Sequence, residues 1–343
     1  MKTHEFFYTL PKELIAQEPL EKRDESRLLV IFRKERIFKE VIFKEIIDYL
    51  KPTDVLVLNE TKVIPARLKA KRNTGGKVEV LLLKEKDTGI WQALLKPTKR
   101  IKILETIFFD NHSFSAKILE RNNQGIFYLE FIPKDIKPLI YLYGQMPTPP
   151  YIKIELKQPH RYQTVYAKKE GSVASPTAGL HFTEELLKKI EQKGIEIVYL
   201  SLHCGLSTFR PLKKENLEEH SLEPEYLEIP KETARVINQA KLVQKRIIAV
   251  GTTVARALES TAFLNEENIF QIKPFKGETS LFIYPGYQFK IIDCLLTNFH
   301  LPCSTNLVLT CAFADKELIF SAYQYAIERK FRFYSFGDAT FII

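Results

Sequence analysis

The stretch DVLVLNETKVIPARLKAKR, residues 54–72, changes texture in its middle. Its first six residues, DVLVLN, form a continuous apolar run, the pattern of a strand buried inside an α/β sheet. Its last eight, PARLKAKR, alternate apolar and basic residues, which gives a strand with one dry and one wet face. Asn73-Thr74-Gly75-Gly76 is a turn, and KVEVLLL (77–83) pairs back as a hairpin. IWQALLK (90–96), KILETIFF (102–109), SFSAKILE (113–120) and GIFYLEF (125–131) follow with turn signals between them. Several short strands without helices predict a small antiparallel barrel or sandwich. The proline-rich MPTPPYI (146–152) marks its exit.

On either side of this module the texture is α/β. LLVIF (28–32) reads as a strand and VIFKEIIDYL (41–50) has helical spacing. After about residue 159, Thr183 caps a helix with Glu184 and Glu185 in its first turn, Leu186, Leu187 and Ile190 on its apolar stripe and Gly194 past its end. Strands are predicted at IEIVYLSL (195–202), RIIAVG (246–251), TSLFIY (279–284) and FKIIDCLLT (289–297). Helices are predicted at KETARVINQAKLVQ after Pro230, at TTVARALES, after Ser304, and at ELIFSAYQYAIERK. The fold class expected is an α/β (α+β) main domain, residues 1–61 and 156–343, interrupted by an inserted small antiparallel β-barrel, residues 62–155. Three consecutive domains are the alternative, but sixty N-terminal residues are too few to bury a good core alone.

The chain has 343 residues and a net charge of +9. Residues 62–155 carry 17 Lys and Arg against 9 Asp and Glu, so the barrel module holds +8 of that charge. A basic module is the footprint of a polyanion partner, or a surface kept charged for solubility. Lys69, Lys71, Lys99, Arg72 and Arg100 are the candidate phosphate contacts. Cys204, Cys294, Cys303 and Cys311 form no CxxC pair, no histidine pair has metal spacing, and no metal site is expected. There is no GxGxxG or Walker motif, which argues against a nucleotide held on a glycine-rich loop. MKTHEFFYTLPKEL has no apolar core of a secretion signal, and no apolar run reaches the ~18 residues of a membrane span. A cytoplasmic monomer with no membrane partner is expected.

Three strand-to-helix junctions share one design. SVASPTAGLHF (172–182) leads to the Thr183 helix, Gly251-Thr252-Thr253 opens the helix carrying Arg256, and Thr297-Asn298-Phe299-His300 precedes the Ser304 cap. Ligands of open α/β sheets bind beyond the carboxyl ends of the strands, where helix N-termini offer unpaired N–H groups. Small residues in the first junction permit close approach: Ser175 and Thr177 offer hydroxyls and Gly179 offers backbone freedom. Thr252, Thr253 and Arg256 suit an anion, although Arg256 on a helix could equally be solvated, and Asn298 suits an amide or a nucleobase. His181, His203, His220 and His300 lie at element boundaries, where histidine either holds the structure or moves protons.

SVASPTAGLHFT, VGTTVARALES, LTNFHLP with Ser304-Thr305, PGY (285–287) and FGDA (336–339) stand in this order. With LPKELIAQEPLEKRDESRLLV, DVLVLNETKVIPARL, YGQMPTPPYI and RYQTVYAK, they make the chain similar to the S-adenosylmethionine:tRNA ribosyltransferase-isomerase family. The likeness spans nearly the whole chain and is weakest through residues 84–141. It implies transfer of the ribosyl part of S-adenosylmethionine to 7-aminomethyl-7-deazaguanine at the tRNA wobble position. The ribose rearranges to give epoxyqueuosine while adenine and methionine leave, so S-adenosylmethionine is a consumed co-substrate and no cofactor is implied. The reaction can begin by removal of a C5′ proton beside the sulfonium. That step suits a neutral imidazole, either His181, the preferred one, or His300. Two stretches depart from the family pattern. Cys204-Gly205-Leu206-Ser207 replaces a Val-Gly-Ala-Gly-type run. Glu219-His220-Ser221-Leu222-Glu223-Pro224-Glu225 stands for EHxMHxE and lacks its second histidine, which therefore cannot be essential here.

Two other readings compete. An S-adenosylmethionine-dependent RNA methyltransferase would share both substrates but leave S-adenosylhomocysteine. A non-catalytic RNA-binding barrel would stack bases on Trp91, Phe108, Phe109, Phe127 or Tyr128, yet most of these fall in apolar strands and read as core.

Overall fold

The computed structural model describes residues 1–205, 212 and 214–343, so Leu206 and Ser207 lie outside the described residues. The chain divides into two compact units. One comprises residues 1–61, 150–169 and 175–343, the other residues 62–149 and 170–174. The chain thus re-enters the first unit at Pro150, six residues before the expected boundary, and lends five later residues to the second.

The first unit is built on a nine-stranded mixed sheet. Its centre is four parallel strands in the order Glu196–Leu202, Val55–Asn59, Ile247–Val250, Cys294–Asn298. Val55–Asn59 is wholly buried, which is why its sequence shows no alternation. Ala339–Ile342 joins antiparallel to Cys294–Asn298, and Arg27–Phe32 lies parallel to it. The first residues of these two strands therefore sit at the same sheet edge as the last residues of the central four. Leu28, Leu56, Ile248, Leu296 and Phe341 form the core of one face with the helix Glu184–Gln192. Thr183 caps that helix by accepting from the Leu186 N–H at 3.1 Å, and Gly194 closes it at φ 88°.

Three local expectations are corrected. Residues 41–50 are not one helix: Ile37–Ile42 is an edge strand of a hairpin with Arg27–Phe32, and only Phe43–Tyr49 turns, as a 3₁₀ helix. The strand expected at 279–284 lies earlier, at Phe275–Thr279. A helix the sequence does not announce, Lys137–Tyr143, follows the barrel strands.

The second unit is a closed barrel of six antiparallel strands, in the order Phe127–Ile132, Ile90–Lys96, Lys77–Asp87, Arg67–Arg72, Thr106–Phe109, Phe114–Arg121. Closure leaves no sheet edge open. Leu68, Ala70, Val78 and Val80 alternate into its core, while Lys69 and Lys71 alternate out. Among the described residues no helix is long and apolar enough to cross a membrane.

Candidate active site

The carboxyl edge of the central strands gathers buried polar side chains. Asn59, Asn298, Thr252, Thr253 and His300 stand at strand ends or just beyond, with Ser26 and Asp338 at the starts of the two neighbouring strands. A polar group shut from water without a partner costs about 1–3 kcal/mol. The partners each of these groups has, or lacks, are therefore informative.

His181 ends the 3₁₀ helix Thr177–His181, with its ring stacked on Phe43 at 4.9 Å. Its Nδ1 lies 2.7 Å from Ser26 Oγ and its Nε2 lies 3.1 Å from Asn298 Nδ2. The proton positions in this chain are fixed by a carbonyl at each end. The Tyr334 carbonyl only accepts, so the Asn298 amide nitrogen must face it, at 3.2 Å. The same nitrogen then donates to Nε2, so the imidazole proton is on Nδ1 and donates to Ser26 Oγ. That hydroxyl passes its own proton to the Arg23 carbonyl at 3.3 Å. Both ring nitrogens of His181 are committed. Burial, reinforced by the Arg332 and Arg23 guanidiniums, pushes its pKa down to about 3.

A narrow cleft adjoins this chain, and Ser175, Thr177, Asn298, His300, Asn306 and Tyr334 help line it. His300 Nε2 meets Thr297 Oγ1 at 2.9 Å, and Nδ1 has no partner among the described residues. The His300 backbone is clamped: its N–H donates to the Tyr323 hydroxyl at 3.0 Å and its carbonyl accepts from Tyr8. Burial alone pushes the His300 pKa to about 3, so the ring is neutral. Ser175 Oγ and Asn298 Oδ1 are buried with no partner among the described residues. The Tyr151 and Tyr334 rings pack against each other at a tilt of 55°, centroids 4.8 Å apart, and Tyr334 holds a left-handed φ of 72°. The whole lining is hydroxyl, amide, aromatic, aliphatic and one imidazole, without a carboxylate.

The family model described as queuosine biosynthesis protein matches residues 3–342. The chain belongs to the queuosine biosynthesis protein family. The S-adenosylmethionine:tRNA ribosyltransferase-isomerases of Thermotoga maritima and of Thermoanaerobacter sp. (strain X514) are 49% and 51% identical to it, each over the full length of both chains. The crystal structure of S-adenosylmethionine tRNA ribosyltransferase from Thermotoga maritima superposes with a TM-score of 0.57 at 40% identity, covering 99% of this chain and 100% of that one.

Several motifs of this queuosine biosynthesis chain serve the scaffold. Asp338 of FGDA accepts the backbone N–H groups of Arg27 and Arg332 at 2.9 and 2.7 Å. Tyr287 of PGY donates to Glu259, which also accepts three successive backbone N–H groups from 290–292. Gly179 is corrected in role. Its φ is not left-handed, and a Cβ there would come within 2.0 Å of the Tyr166 hydroxyl, so the glycine serves packing. Arg256 is neither solvated nor in the cleft: it is buried, pairs with Glu225 at 2.5 Å and donates to the Leu281 carbonyl at 2.9 Å. Thr252 donates to Asn306 Oδ1 at 3.0 Å, and Thr253 Oγ1 lies 3.5 Å from the Asn59 amide nitrogen. Their hydroxyls thus orient neighbours rather than line the cleft. His203 bonds Thr61 at 2.7 Å and stacks on Tyr226. Sequence reasoning missed Ser26 and the Tyr334 carbonyl, both remote in sequence from His181. Among the described residues no group of three or more His, Cys, Asp and Glu is placed to hold a metal ion.

On the barrel, Lys69, Lys71, Lys99 and Arg100 are exposed, and none of them has an ion-pair partner among the described residues. Arg72 differs from them: its guanidinium grips Glu105 through two bonds, at 2.6 and 3.0 Å. Trp91, Phe109 and Phe127 are core, whereas Phe108 is half-buried and rests against His112 at 4.3 Å. Lys69, Lys71, Lys77, Phe108 and His112 share one surface groove.

Proposed function

We infer that this chain transfers and isomerises the ribosyl moiety of S-adenosylmethionine onto 7-aminomethyl-7-deazaguanine at the tRNA wobble position. The product is epoxyqueuosine in tRNA, with adenine and methionine released. The observation that carries the reading is a cleft holding a neutral imidazole and no carboxylate. A sulfonium acidifies its neighbouring C–H bonds, and a fixed anion beside it would trap the cation instead of deprotonating it. The Tyr151 and Tyr334 rings offer the sulfonium π density without that trap.

His300 is the base. It takes the C5′ proton on Nδ1, and the carbon keeps the electron pair as a sulfur-stabilised carbanion. Its low pKa describes a proton brought from water into a buried site. In the reaction the sulfonium becomes a neutral ylide, its sulfur charge balanced by the new carbanion, while the imidazole becomes cationic. The net charge within the cleft is unchanged, so burial does not oppose the transfer in the same way. His181, with both nitrogens engaged, positions Asn298. Ser175 and Thr177 bind ribose hydroxyls. The barrel holds the tRNA backbone through Lys69, Lys71, Lys99 and Arg100, with Phe108 and His112 available for stacking. The protein works in the cytoplasm as a monomer and needs no cofactor.

The test is incubation with S-adenosylmethionine and tRNA bearing the aminomethyl base. Release of adenine and methionine in equal amounts is expected. S-adenosylhomocysteine as the product would replace this reading with methyl transfer.

A further inference from the structure

Asn298 stands at the end of the last central parallel strand, only 2% exposed, with its amide orientation dictated by its surroundings. The Tyr334 carbonyl and His181 Nε2 both take hydrogen bonds from the amide nitrogen. The Ser26 hydroxyl holds the imidazole in the tautomer that makes this possible. The consequence is that Oδ1, an acceptor, is left buried and without a partner among the described residues, on a residue that lines the cleft, and Ser175 Oγ is left in the same condition. The Tyr334 carbonyl reaches this position from a left-handed backbone that a bulky residue adopts only at a cost. A chain of four groups that ends in an unused acceptor is arranged for a donor that comes with the ligand.

We propose that the Ser26–His181–Asn298 chain makes Asn298 Oδ1 an amine-reading acceptor, taking an N–H from a nucleobase amine of one co-substrate, with Ser26 and His181 as positioning residues. This rests on the ribosyl-transfer reading, which supplies two such amines: the 6-amino group of adenine and the aminomethyl group of the acceptor base. The polarity of the site gives it selectivity. An analogue with a carbonyl oxygen in place of the amine would set lone pair against lone pair, and sites built around one hydrogen bond reject partners that lack it.

The experiment compares S-adenosylmethionine with S-inosylmethionine, whose base carries oxygen where adenine carries the amine. In parallel it compares the binding of tRNA with and without the aminomethyl group. The wild type is expected to favour S-adenosylmethionine at least tenfold in kcat/KM, and Asn298→Ala to bring that ratio within threefold. Ser26→Ala, which leaves the amide in place but frees the imidazole tautomer, should lower the ratio at least threefold, and Ser26→Thr should restore it. These ratios are insensitive to a uniform loss of folded enzyme. If the nucleoside ratio survives in Asn298→Ala and Ser26→Ala while the preference for aminomethyl-bearing tRNA collapses, the amine read is the acceptor's. If both preferences survive in both variants, the proposal is overturned. A wild type that releases no adenine from S-adenosylmethionine would instead remove the underlying reaction, an outcome distinct from either.

Discussion

The two units of this molecule handle polarity in opposite ways. In the barrel, no hydroxyl, amide or charged side chain is buried between residues 62 and 149, Trp91 Nε1 being a polar atom shut into its core, and the charges stand outside, on strands that alternate. In the α/β unit, buried hydroxyls, amides and imidazoles crowd one sheet edge. The barrel is what a sequence selected for stability and surface charge looks like. The sheet edge carries polar groups that a stability criterion alone would exclude, and two of them, Ser175 Oγ and Asn298 Oδ1, have no partner among the described residues. The difference separates a surface that meets its ligand through solvent-exposed charge from a site that meets it through desolvated, pre-oriented dipoles.

The sharpest way to break this comparison is at His300. His300→Ala should lower the single-turnover rate of adenine release by about 10²–10⁴-fold, the range of a positioned general base, with little change in tRNA affinity. His181→Ala should cost less, because it loosens Asn298 without removing the base. Rates within threefold of the wild type for His300→Ala would transfer the proton step elsewhere.

Acid is the next lever. Both imidazoles are held neutral in the fold, near pKa 3 against 6.5 for the free side chain. Between those values the unfolded chain binds more protons than the folded one, so stability falls as pH falls below 6.5. By pH 5 each histidine accounts for about 2 kcal/mol of loss. Urea midpoints at pH 7 and pH 5 should therefore diverge for the wild type and converge part-way in His181→Gln. The barrel between residues 62 and 149 buries no titratable side chain and should keep its strand signal over the same range.

How much of this was legible in the sequence follows the same division. Alternation in PARLKAKR and KVEVLLL announces barrel strands because one face is wet and the other dry. The continuous run in DVLVLN, the Thr183 cap and the Ser304 cap were equally readable, being local physics. Residues 41–50 misled because four apolar residues at helical spacing also suit an edge strand followed by a 3₁₀ turn. The site was half legible. Ser175, Thr177, Asn298 and His300 stand out as hydroxyls, an amide and an imidazole at junctions, and they do share one cleft. Ser26 was invisible, because nothing near it reveals a partner 155 residues away. Arg256 was misread because a helix position does not disclose the Glu225 carboxylate waiting across from it.

On the barrel the expected effects are smaller and depend on salt. Replacing Lys69 and Lys71 together by alanine should weaken tRNA binding and flatten the slope of log K against log salt by about 1.4–1.8 units. Binding isotherms between 50 and 200 mM salt would show it. An unchanged slope would make these charges a solubility device and would remove the barrel from the RNA interface.

Arg72 supplies the finest cut, because it lies on the same strand as the two lysines and carries the same charge. Its guanidinium is held by Glu105 in a two-point bond, and that pairing draws the Glu105 carboxyl below the usual carboxylate range. A cation already neutralised by a fixed partner releases few counterions when a phosphate approaches. Arg72→Ala should therefore move the salt slope by less than about 0.3 units, against the 0.7–0.9 expected for one phosphate contact. Glu105→Gln should do the opposite: by freeing the guanidinium it should steepen the slope toward one added contact. If Arg72→Ala flattens the slope as much as a lysine does, the pair opens on binding, and the barrel face would then share with the sheet edge the habit of holding a polar group in reserve for its ligand.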